Sequence, residues 1–394
     1  MGAPIVIAGA GIGGLAAALA LARAGRRALI LERAGKIEEV GAGLQIAPNA
    51  GRILAALGLE PALAAVALEP RAINIRRGRD GDILAKIDCS VARACWGAPF
   101  RIFHRADLQQ ALLQGVQASG AVDIRVGVRV GDFEERGGVV SLRAHGPEGL
   151  REISAIGLVG ADGVRSAVRA HLYRDRADAP VYSGATAWRA LVPAERAPPA
   201  LRAPEGNIWL LPGGHIVHYP LRDGAFINVV AIVEEPFAPA ETPSVLSLDG
   251  PALARRLEPM RPAPALRDLI EAGASWRHWP LFARPELKKW SFGAVTLLGD
   301  AAHPMPPFLA QGAAQAIEDA DALGRAFTQI GVGAADAFAA YERARIARAA
   351  KVVRASKRQG GLDHMDGLSA AARDLGVRAL GGRGLLARNA WLYR

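Results

Sequence analysis

Cysteine and long apolar stretches are both scarce in this chain of 394 residues. The two cysteines, Cys89 and Cys95, cannot build a disulfide framework, and no histidine pair near them completes a zinc site. The longest uninterrupted apolar run covers residues 15–22, far short of the ~20 residues that cross a bilayer. No basic segment precedes the apolar N-terminus. We therefore expect no signal peptide, no membrane contact, no metal site and a reduced, cytoplasmic setting.

Acidic residues are the minority charge, which leaves a net charge of +10. Such an excess of basic residues indicates a protein that binds nucleic acid only where those residues are concentrated on one surface. Here the arginines are scattered, and the densest basic group lies at residues 343–358 in an alanine-rich helical stretch. We interpret this group as a solvated helix face, without a nucleic-acid partner, and the positive field as an attraction for small anions.

The N-terminal segment has the pattern of a nucleotide-binding unit. Residues 5–8 predict a buried strand, which runs into a glycine-rich turn and a helix that is closed by Gly25. A second strand, 28–31, ends at Glu32, which lies 18 residues after Gly14. Glycines let the backbone approach a pyrophosphate, the helix start faces the phosphates, and the acid accepts a hydrogen bond from a ribose hydroxyl. The turn contains Gly9, Gly11, Gly13 and Gly14.

Two later segments have the same order of a strand, an acidic residue and a helix. Residues 155–169 place Asp162 and a glycine between a strand and a helix that Asp162 or Ser166 could cap. Residues 294–320 place Asp300 at a strand end, followed by a Pro/Gly loop and a helix that begins at Gly312. Such a helix start offers unpaired N–H groups and the positive end of a dipole to an electron-rich ligand atom.

The order of these three motifs resembles that of the single-component FAD-dependent aromatic hydroxylases. This group has the p-hydroxybenzoate hydroxylase fold and includes salicylate, 3-hydroxybenzoate and 6-hydroxynicotinate hydroxylases. The resemblance runs from Pro4 to about Gly360. Further matching pieces are residues 41–49, 103–108, 215–222 and 341–343.

The resemblance, together with the strand patterns, predicts an α/β fold. A Rossmann-like FAD-binding domain is expected to be interleaved with an antiparallel-sheet substrate domain, followed by C-terminal helices. The glycines at 381–384 are interpreted as a loose C-terminal tail. The predicted boundaries are 1–67, 103–180 and 286–345 for the FAD-binding domain, 68–102 and 181–285 for the substrate domain, and 346–394 for the helices.

The resemblance implies that NADH or NADPH reduces FAD and that O2 then hydroxylates a small phenolic aromatic acid through a flavin C4a-hydroperoxide. A salicylate-like acid is preferred, since salicylate-type enzymes tend to have proline at the position of Pro307 and 3-hydroxybenzoate enzymes tend to have glutamine. The alternatives are 3-hydroxybenzoate, 6-hydroxynicotinate and an FAD oxidoreductase that does not hydroxylate. A plain NAD-dependent dehydrogenase and a regulatory flavoprotein are two further classes that the sequence leaves open. We expect the protein to be a monomer or a homodimer.

The resemblance also assigns the site residues. His215 is the expected base for the phenol, with Tyr219 on the same side of its strand and His218 on the other. Pro307 shapes the wall near the flavin, while His303 is interpreted as a local hydrogen-bonding group. Candidates for the carboxylate anchor are Arg76, Arg189 and Arg222. The expected cofactor contacts are Gly9, Gly11, Gly13, Gly14, Glu32, Arg33, Gly43, Leu44, Arg105, Asp162, Asp300, Gly312 and Ala313.

Overall fold

A computed structural model of the protein describes residues 3–38, 43–174, 178–236, 247–329 and 333–394. Residues 41 and 42, which belong to one of the matched sequence pieces, lie outside these ranges.

Eighteen strands and eleven α-helices lie within the described ranges. The strands are β1 Ile5–Ala8, β2 Ala28–Glu32, β3 Gly43–Ile46, β4 Ala72–Arg77, β5 Ile83–Asp88, β6 Arg101–His104, β7 Val122–Val126, β8 Arg129–Arg136, β9 Val139–Gly146, β10 Gly149–Ala155, β11 Gly157–Gly160, β12 Val181–Pro193, β13 Gly206–Leu211, β14 Gly214–Leu221, β15 Phe226–Glu234, β16 Ser247–Leu248, β17 Trp276–Ala283 and β18 Val295–Leu297. The helices are α1 Ile12–Arg23, α2 Pro48–Ala56, α3 Glu60–Ala64, α4 Ala92–Trp96, α5 Arg105–Ala118, α6 Ala167–Leu172, α7 Gly250–Leu257, α8 Pro264–Glu271, α9 Gly312–Gln329, α10 Ala334–Asp363 and α11 Gly367–Tyr393.

A five-stranded parallel sheet carries the nucleotide-binding motifs, in the strand order β18-β11-β1-β2-β7. Every residue of β1 and β11 is buried, as expected for a parallel sheet covered on both faces. The glycine turn after β1, the Asp-Gly segment after β11 and the Gly-Asp segment after β18 all follow carboxyl ends of adjacent strands. They therefore meet at one edge of the sheet, where ligands of open α/β folds bind. The predicted fold class is confirmed.

The three-stranded antiparallel sheet β8-β9-β10 packs onto the same core. Residues 123–130 are divided between β7 and β8. Gly127 interrupts the chain there with a φ of +68°, so the two strands join different sheets.

The second large sheet has eight strands in the order β16-β17-β12-β15-β14-β13-β4-β5. Its pairs are antiparallel except for β13 with β4. One face is packed under helices α7 and α8, around buried Trp188, Trp209 and Trp276. The exact domain boundaries stay a prediction.

The C-terminal segment differs from the expected loose tail, because residues 367–393 form α11, a helix that is kinked at Gly381. Gly381 has a φ of +59°, which glycine adopts without strain. At Gly382 the helix lies so close to β5 that a Cβ atom would overlap the carbonyl oxygen of Lys86. The glycines that suggested disorder are therefore packing and kink positions.

The basic stretch within α10 is only partly a solvated face. Arg354 is exposed and pairs with Glu286, as expected. Arg345, however, is 4% exposed and bonds Asp319 and Glu318 of α9. The interpretation of the whole stretch as solvated is therefore wrong for Arg345.

Candidate active site

A cleft of about 1910 Å³ runs between the parallel sheet and the eight-stranded sheet, with α11 along one side. Its lining includes the ends of the three nucleotide-binding motifs, the inner face of β12, β14 and β15, and the loop before α9. Predicted site residues that line it are Gly11, Gly13, Arg33, Gly43, Leu44, Arg105, Asp162, His215, Tyr219, Asp300, Pro307, Gly312 and Ala313.

The glycine turn allows unusually close backbone packing. Gly9 has a φ of +102°, and a Cβ atom there would lie 2.7 Å from the carbonyl oxygen of Ala161. At Gly14 a Cβ atom would overlap the carbonyl oxygen of Gly9. Gly11 is different, since its Cβ position faces open space in the cleft. Gly9 and Gly14 thus hold the turn together, while Gly11 keeps room for a ligand at the N-terminus of α1.

Glu32 lies behind this turn rather than on the cleft wall. Its two carboxylate oxygens accept hydrogen bonds from the N–H groups of Ala10 and Ala34, both at 2.8 Å. A carboxylate has about four lone-pair sites, so these bonds leave acceptor capacity for a ribose hydroxyl. The neighbouring Arg33 is exposed on the cleft.

Two aspartates occupy the ends of β11 and β18. One oxygen of Asp162 accepts from the N–H groups of Ala167 and Val168 at 2.7 and 3.2 Å, which caps the start of α6. Its other oxygen is buried and has no hydrogen-bond partner among the described residues. Asp300 lies deep among protein atoms, yet its carboxylate is open to the cleft. Burial raises the pKa of both carboxyl groups, and electrostatic interactions with His303 and then Arg105 oppose this for Asp300.

These features fit FAD. An unpartnered carboxylate oxygen, an open glycine turn at a helix start and a second carboxylate beside an arginine match the pyrophosphate, ribose and ribityl groups of a dinucleotide. Gly312 adds a helix start whose Cβ position is open, so the N-terminus of α9 can be approached closely by a flat ring.

A buried ionic network behind the cleft holds that helix start in place, and sequence reasoning did not find it. Asp319 accepts hydrogen bonds from the N–H of Gly299 at 3.0 Å, from His303 at 2.5 Å and from Arg345 at 2.7 Å. Burial alone would raise the pKa of Asp319, but the positive charges of His303 and Arg345 lower it to about 2. His303 thus acts locally, as expected. The sequence feature that could have predicted this network is Asp319 within the α9 motif, which is followed by a helix rich in basic residues.

The base candidate His215 lies on the cleft wall and is 2% exposed. Tyr219 lies on the same face of β14 and packs against Gly43, whose N–H is held by Asn228 at 2.8 Å. Burial lowers the pKa of His215 to about 3, so its imidazole is neutral. Burial raises the pKa of the Tyr219 phenol, which therefore stays protonated.

Only one of the three candidate carboxylate anchors lines the cleft. Arg189 is on β12, with its guanidinium 5.8 Å from the ring centroid of Trp279. Arg222 pairs instead with Asp107 at 3.0 Å on the surface. Arg76 hydrogen-bonds Asn207 and the carbonyl of Gly81. Of the three candidates, Arg189 is therefore the one that borders the cleft.

His218 points to the other face of β14, as its position on the strand predicts. Its Nδ1 accepts a hydrogen bond from the indole of Trp209 at 2.9 Å. Burial lowers its pKa to about 3, which suits a neutral acceptor in an apolar layer.

Behind His215 lies a second pair of polar residues that sequence reasoning missed. Its Nδ1 is 2.9 Å from Nε2 of His364, and Nδ1 of His364 is 2.7 Å from a carboxylate oxygen of Glu234. His364 follows the last residue of α10, and no local motif distinguishes it. Its position can be read only from the packing of α10 against the end of β14.

The fold and site together define a class, an α/β flavoprotein oxidoreductase with a buried imidazole in its substrate cleft. Among the described residues, no helix is both long and apolar enough to cross a membrane. The chain belongs to the FAD binding domain family, whose pattern matches residues 2–356.

Two relatives and one solved structure illustrate this membership. The chain is 36% identical to a 3-hydroxybenzoate 6-hydroxylase of Polaromonas naphthalenivorans (strain CJ2), over 94% of this chain and 90% of the relative. It is 38% identical to the 3-amino-4-hydroxybenzoate 2-monooxygenase PtmB3 of Streptomyces platensis, over 99% of this chain and 95% of that relative. A salicylate hydroxylase substrate complex has a TM-score of 0.83 at 24% identity, covering 99% and 95%, which supports the fold alone. The protein is an FAD-dependent aromatic hydroxylase, as the sequence motifs predicted.

Proposed function

We propose that the protein hydroxylates a 3-hydroxybenzoate-type acid, using NADH or NADPH and O2. The preference for salicylate rested on Pro307 alone. Both relatives described above act on benzoates with a hydroxyl meta or para to the carboxylate, and this favours the alternative substrate. Because one of them takes an amino-substituted acid, 3-amino-4-hydroxybenzoate is the second candidate.

The observation that carries this proposal is the neutral imidazole of His215 on the same cleft wall as Arg189 and Tyr219. Arg189 binds the carboxylate, since a guanidinium matches it with two parallel hydrogen bonds. His215 accepts the phenolic proton, which makes the ring electron-rich, and Tyr219 donates a hydrogen bond to the resulting oxygen. FAD, when bound, supplies the activation of oxygen. Pro307 and Phe308 exclude water from this part of the cleft without adding a polar group.

The cofactor contacts remain those assigned by resemblance. Gly9, Gly11, Gly13, Gly14 and Glu32 would hold the adenosine and pyrophosphate end. Arg33, Arg105 and Asp300 would hold the ADP-ribose and ribityl parts, and Asp162 would serve both FAD and the pyridine nucleotide. Gly43, Leu44, Gly312 and Ala313 would border the flavin ring.

A substrate panel tests the proposal. NADH and NADPH oxidation and O2 uptake are measured with 3-hydroxybenzoate, 3-amino-4-hydroxybenzoate, salicylate and 6-hydroxynicotinate, and product mass is followed. We expect the fastest turnover and a product heavier by one oxygen with 3-hydroxybenzoate. Loss of the carboxyl group from salicylate at a higher kcat/KM would instead restore the first preference. Cofactor oxidation that no acid stimulates would overturn the hydroxylase proposal.

His215→Ala tests the role of the base. We expect FAD to remain bound and flavin reduction to be little changed, while hydroxylation falls by about 10²-fold or more, the usual contribution of a general base. His145→Ala, at an exposed histidine of the three-stranded sheet, is the control. Hydroxylation at the wild-type rate by the His215 variant would contradict the assignment.

A further inference from the structure

A continuous line of hydrogen-bonding groups leads from the cleft wall to solvent. His215 is 2% exposed and His364 8%, whereas the Glu234 side chain is 57% exposed. The His215–His364 and His364–Glu234 contacts of 2.9 and 2.7 Å are both within hydrogen-bonding range. The line therefore connects a buried imidazole with a carboxylate in contact with water.

The backbone holds these three residues in place. The N–H of Gly213 bonds the carbonyl oxygen of His364 at 3.0 Å, and the N–H of Glu234 bonds the carbonyl oxygen of Gly213 at 2.9 Å. Phe308 packs edge-on against the rings of His215 and His364, with centroid separations of 5.6 and 5.4 Å. The turn between β13 and β14 thus ties the end of α10 to the end of β15.

The two ends of the line determine which nitrogen carries each proton. An ionised carboxylate only accepts, so Glu234 requires a proton on Nδ1 of His364. A single proton on Nδ1 leaves the imidazole lone pair of His364 on Nε2, which accepts from Nδ1–H of His215. His215 is left with its lone pair on Nε2, which has no hydrogen-bond partner among the described residues and belongs to the ring that lines the cleft.

We propose that Glu234 and His364 position His215 as a base and carry its proton to solvent, a role that rests on the hydroxylase function proposed above. The phenol O–H bond breaks and the proton bonds to Nε2 of His215. The Nδ1 proton of His215 passes to Nε2 of His364, and the Nδ1 proton of His364 passes to Glu234 and then to water. Charge is balanced because each group that gains a proton loses another.

Other titratable and charged groups near the line are Asp363, Arg373 and Asp374. Arg373 bonds the carbonyl oxygen of Asp363 and the carboxylate of Asp374. Burial raises the pKa of Asp363 to about 7, so this carboxyl group titrates near neutrality. Asp363→Asn removes that titration from measurements made on Glu234, His364 and His215.

The first test needs no substrate. In protein labelled with 15N-histidine, side-chain NMR correlations assigned with His215→Asn and His364→Asn report which ring nitrogen is protonated. We expect both rings of the wild-type holoenzyme to carry the proton on Nδ1 at neutral pH. A proton on Nε2 of His215 in that protein would overturn the proposal, whatever the outcome of the substrate panel.

The second test follows proton transfer itself. 3-Hydroxy-4-nitrobenzoate changes colour on ionisation, so stopped-flow absorbance gives the rate at which the bound phenol loses its proton. We expect Glu234→Gln and His364→Gln to lower this rate by about 10- to 100-fold, within the range of general acid–base contributions. Added formate should restore the rate in Glu234→Ala, which a merely structural role would not produce.

The matched control is Glu258→Gln, at another exposed glutamate of the same domain, which should ionise the probe at the wild-type rate. Unchanged rates in both Glu234→Gln and His364→Gln would overturn the proton path. Failure of every acid in the substrate panel would count against the hydroxylase function, while the tautomer measurement would still decide how His215 is held.

Discussion

At the scale of single residues, the glycines of the first turn have separate roles although they share one motif. Gly9 and Gly14 lie against backbone atoms that leave no room for a Cβ, whereas the Cβ position of Gly11 is open to the cleft. Gly11 also has a φ of −69°, which any residue adopts. The motif therefore combines positions required by the fold with one position that faces the cleft.

Gly11→Ala and Gly14→Ala separate these roles. We expect Gly11→Ala to keep the Tm of the FAD-free protein within about 1 °C, since surface-like changes usually shift stability by less than ±0.5 kcal/mol. Its FAD affinity should fall at least tenfold, because the new methyl group occupies the approach of the pyrophosphate. Gly14→Ala should lower the Tm of the FAD-free protein. Titration of the FAD-free protein with FAD measures the affinity, and thermal melts measure the Tm. Equal affinities for wild type and Gly11→Ala would contradict the prediction.

Asp363 is a residue whose stability effect depends on pH. Burial raises its pKa to about 7 from an unfolded value near 3.8. A raised folded pKa gives stability that is complete below the unfolded value and is lost as the pH rises through the folded value.

We therefore expect Asp363→Asn to match wild type at acidic pH and to be more stable at alkaline pH. The gain has an upper limit of about 4 kcal/mol, from 1.36 kcal/mol for each unit of pKa shift. Denaturant unfolding on either side of the pKa measures it. A difference between the two proteins that is independent of pH would show that Asp363 does not titrate as described.

At the scale of elements, helices α9 and α10 are joined by buried charges as well as by apolar packing. Arg345 of α10 binds Asp319 and Glu318 of α9, and Asp319 in turn holds Gly299 next to Asp300. This network connects α10 to α9 and to the segment of Gly299 and Asp300, both of which border the cleft. Helix α10 is thus linked to two walls of the cleft although few of its own residues line it.

Arg345→Met removes the guanidinium that Asp319 and Glu318 share and leaves their negative charges without this partner. Breaking a buried ion pair from one side costs about 3–5 kcal/mol, so we expect a lower Tm and weaker FAD retention. Arg354→Met, whose partner Glu286 is exposed, should change the Tm little. Equal melting temperatures for the two variants would contradict a structural role for the network.

At the scale of the whole molecule, the cleft exists because three layers meet, namely the parallel sheet, the eight-stranded sheet and the C-terminal helices. Helix α11 packs on β5 through Gly382 and is tied to the sheet by an ion pair between Asp374 and Arg77 at 2.9 Å. The ring of Tyr393 lies 4.9 Å from that of Trp96, so the helix is held at its end as well. The last helix is therefore a wall of the cleft.

Gly382→Ala tests this wall. The added methyl group overlaps the Lys86 carbonyl oxygen, so α11 must shift outward and admit water to the cleft. We expect a lower Tm and a larger fraction of NAD(P)H oxidation that yields hydrogen peroxide instead of hydroxylated acid. Ala371→Ser, at an exposed residue of the same helix that does not line the cleft, should keep wild-type coupling. Equal peroxide yields from both variants would show that α11 does not seal the cleft.

Local sequence patterns were enough to specify the FAD cofactor and the fold class. Gly9, Gly14, Glu32, Asp162 and Asp300 could be proposed as cofactor contacts because each follows a buried strand at a short, regular spacing, and these contacts stay a prediction. His215 and Tyr219 could be predicted to share a face because a strand alternates its side chains.

Contacts between residues far apart in the chain depend on how separate elements pack. His364 meets His215 across 149 residues, and Arg345 meets Asp319 across 26, between elements whose packing no local pattern specifies. The choice of Arg189 over Arg76 and Arg222 was likewise a matter of which strand face borders the cleft. Local spacing determines which groups a segment can present, but the packing of separate elements determines what those groups meet.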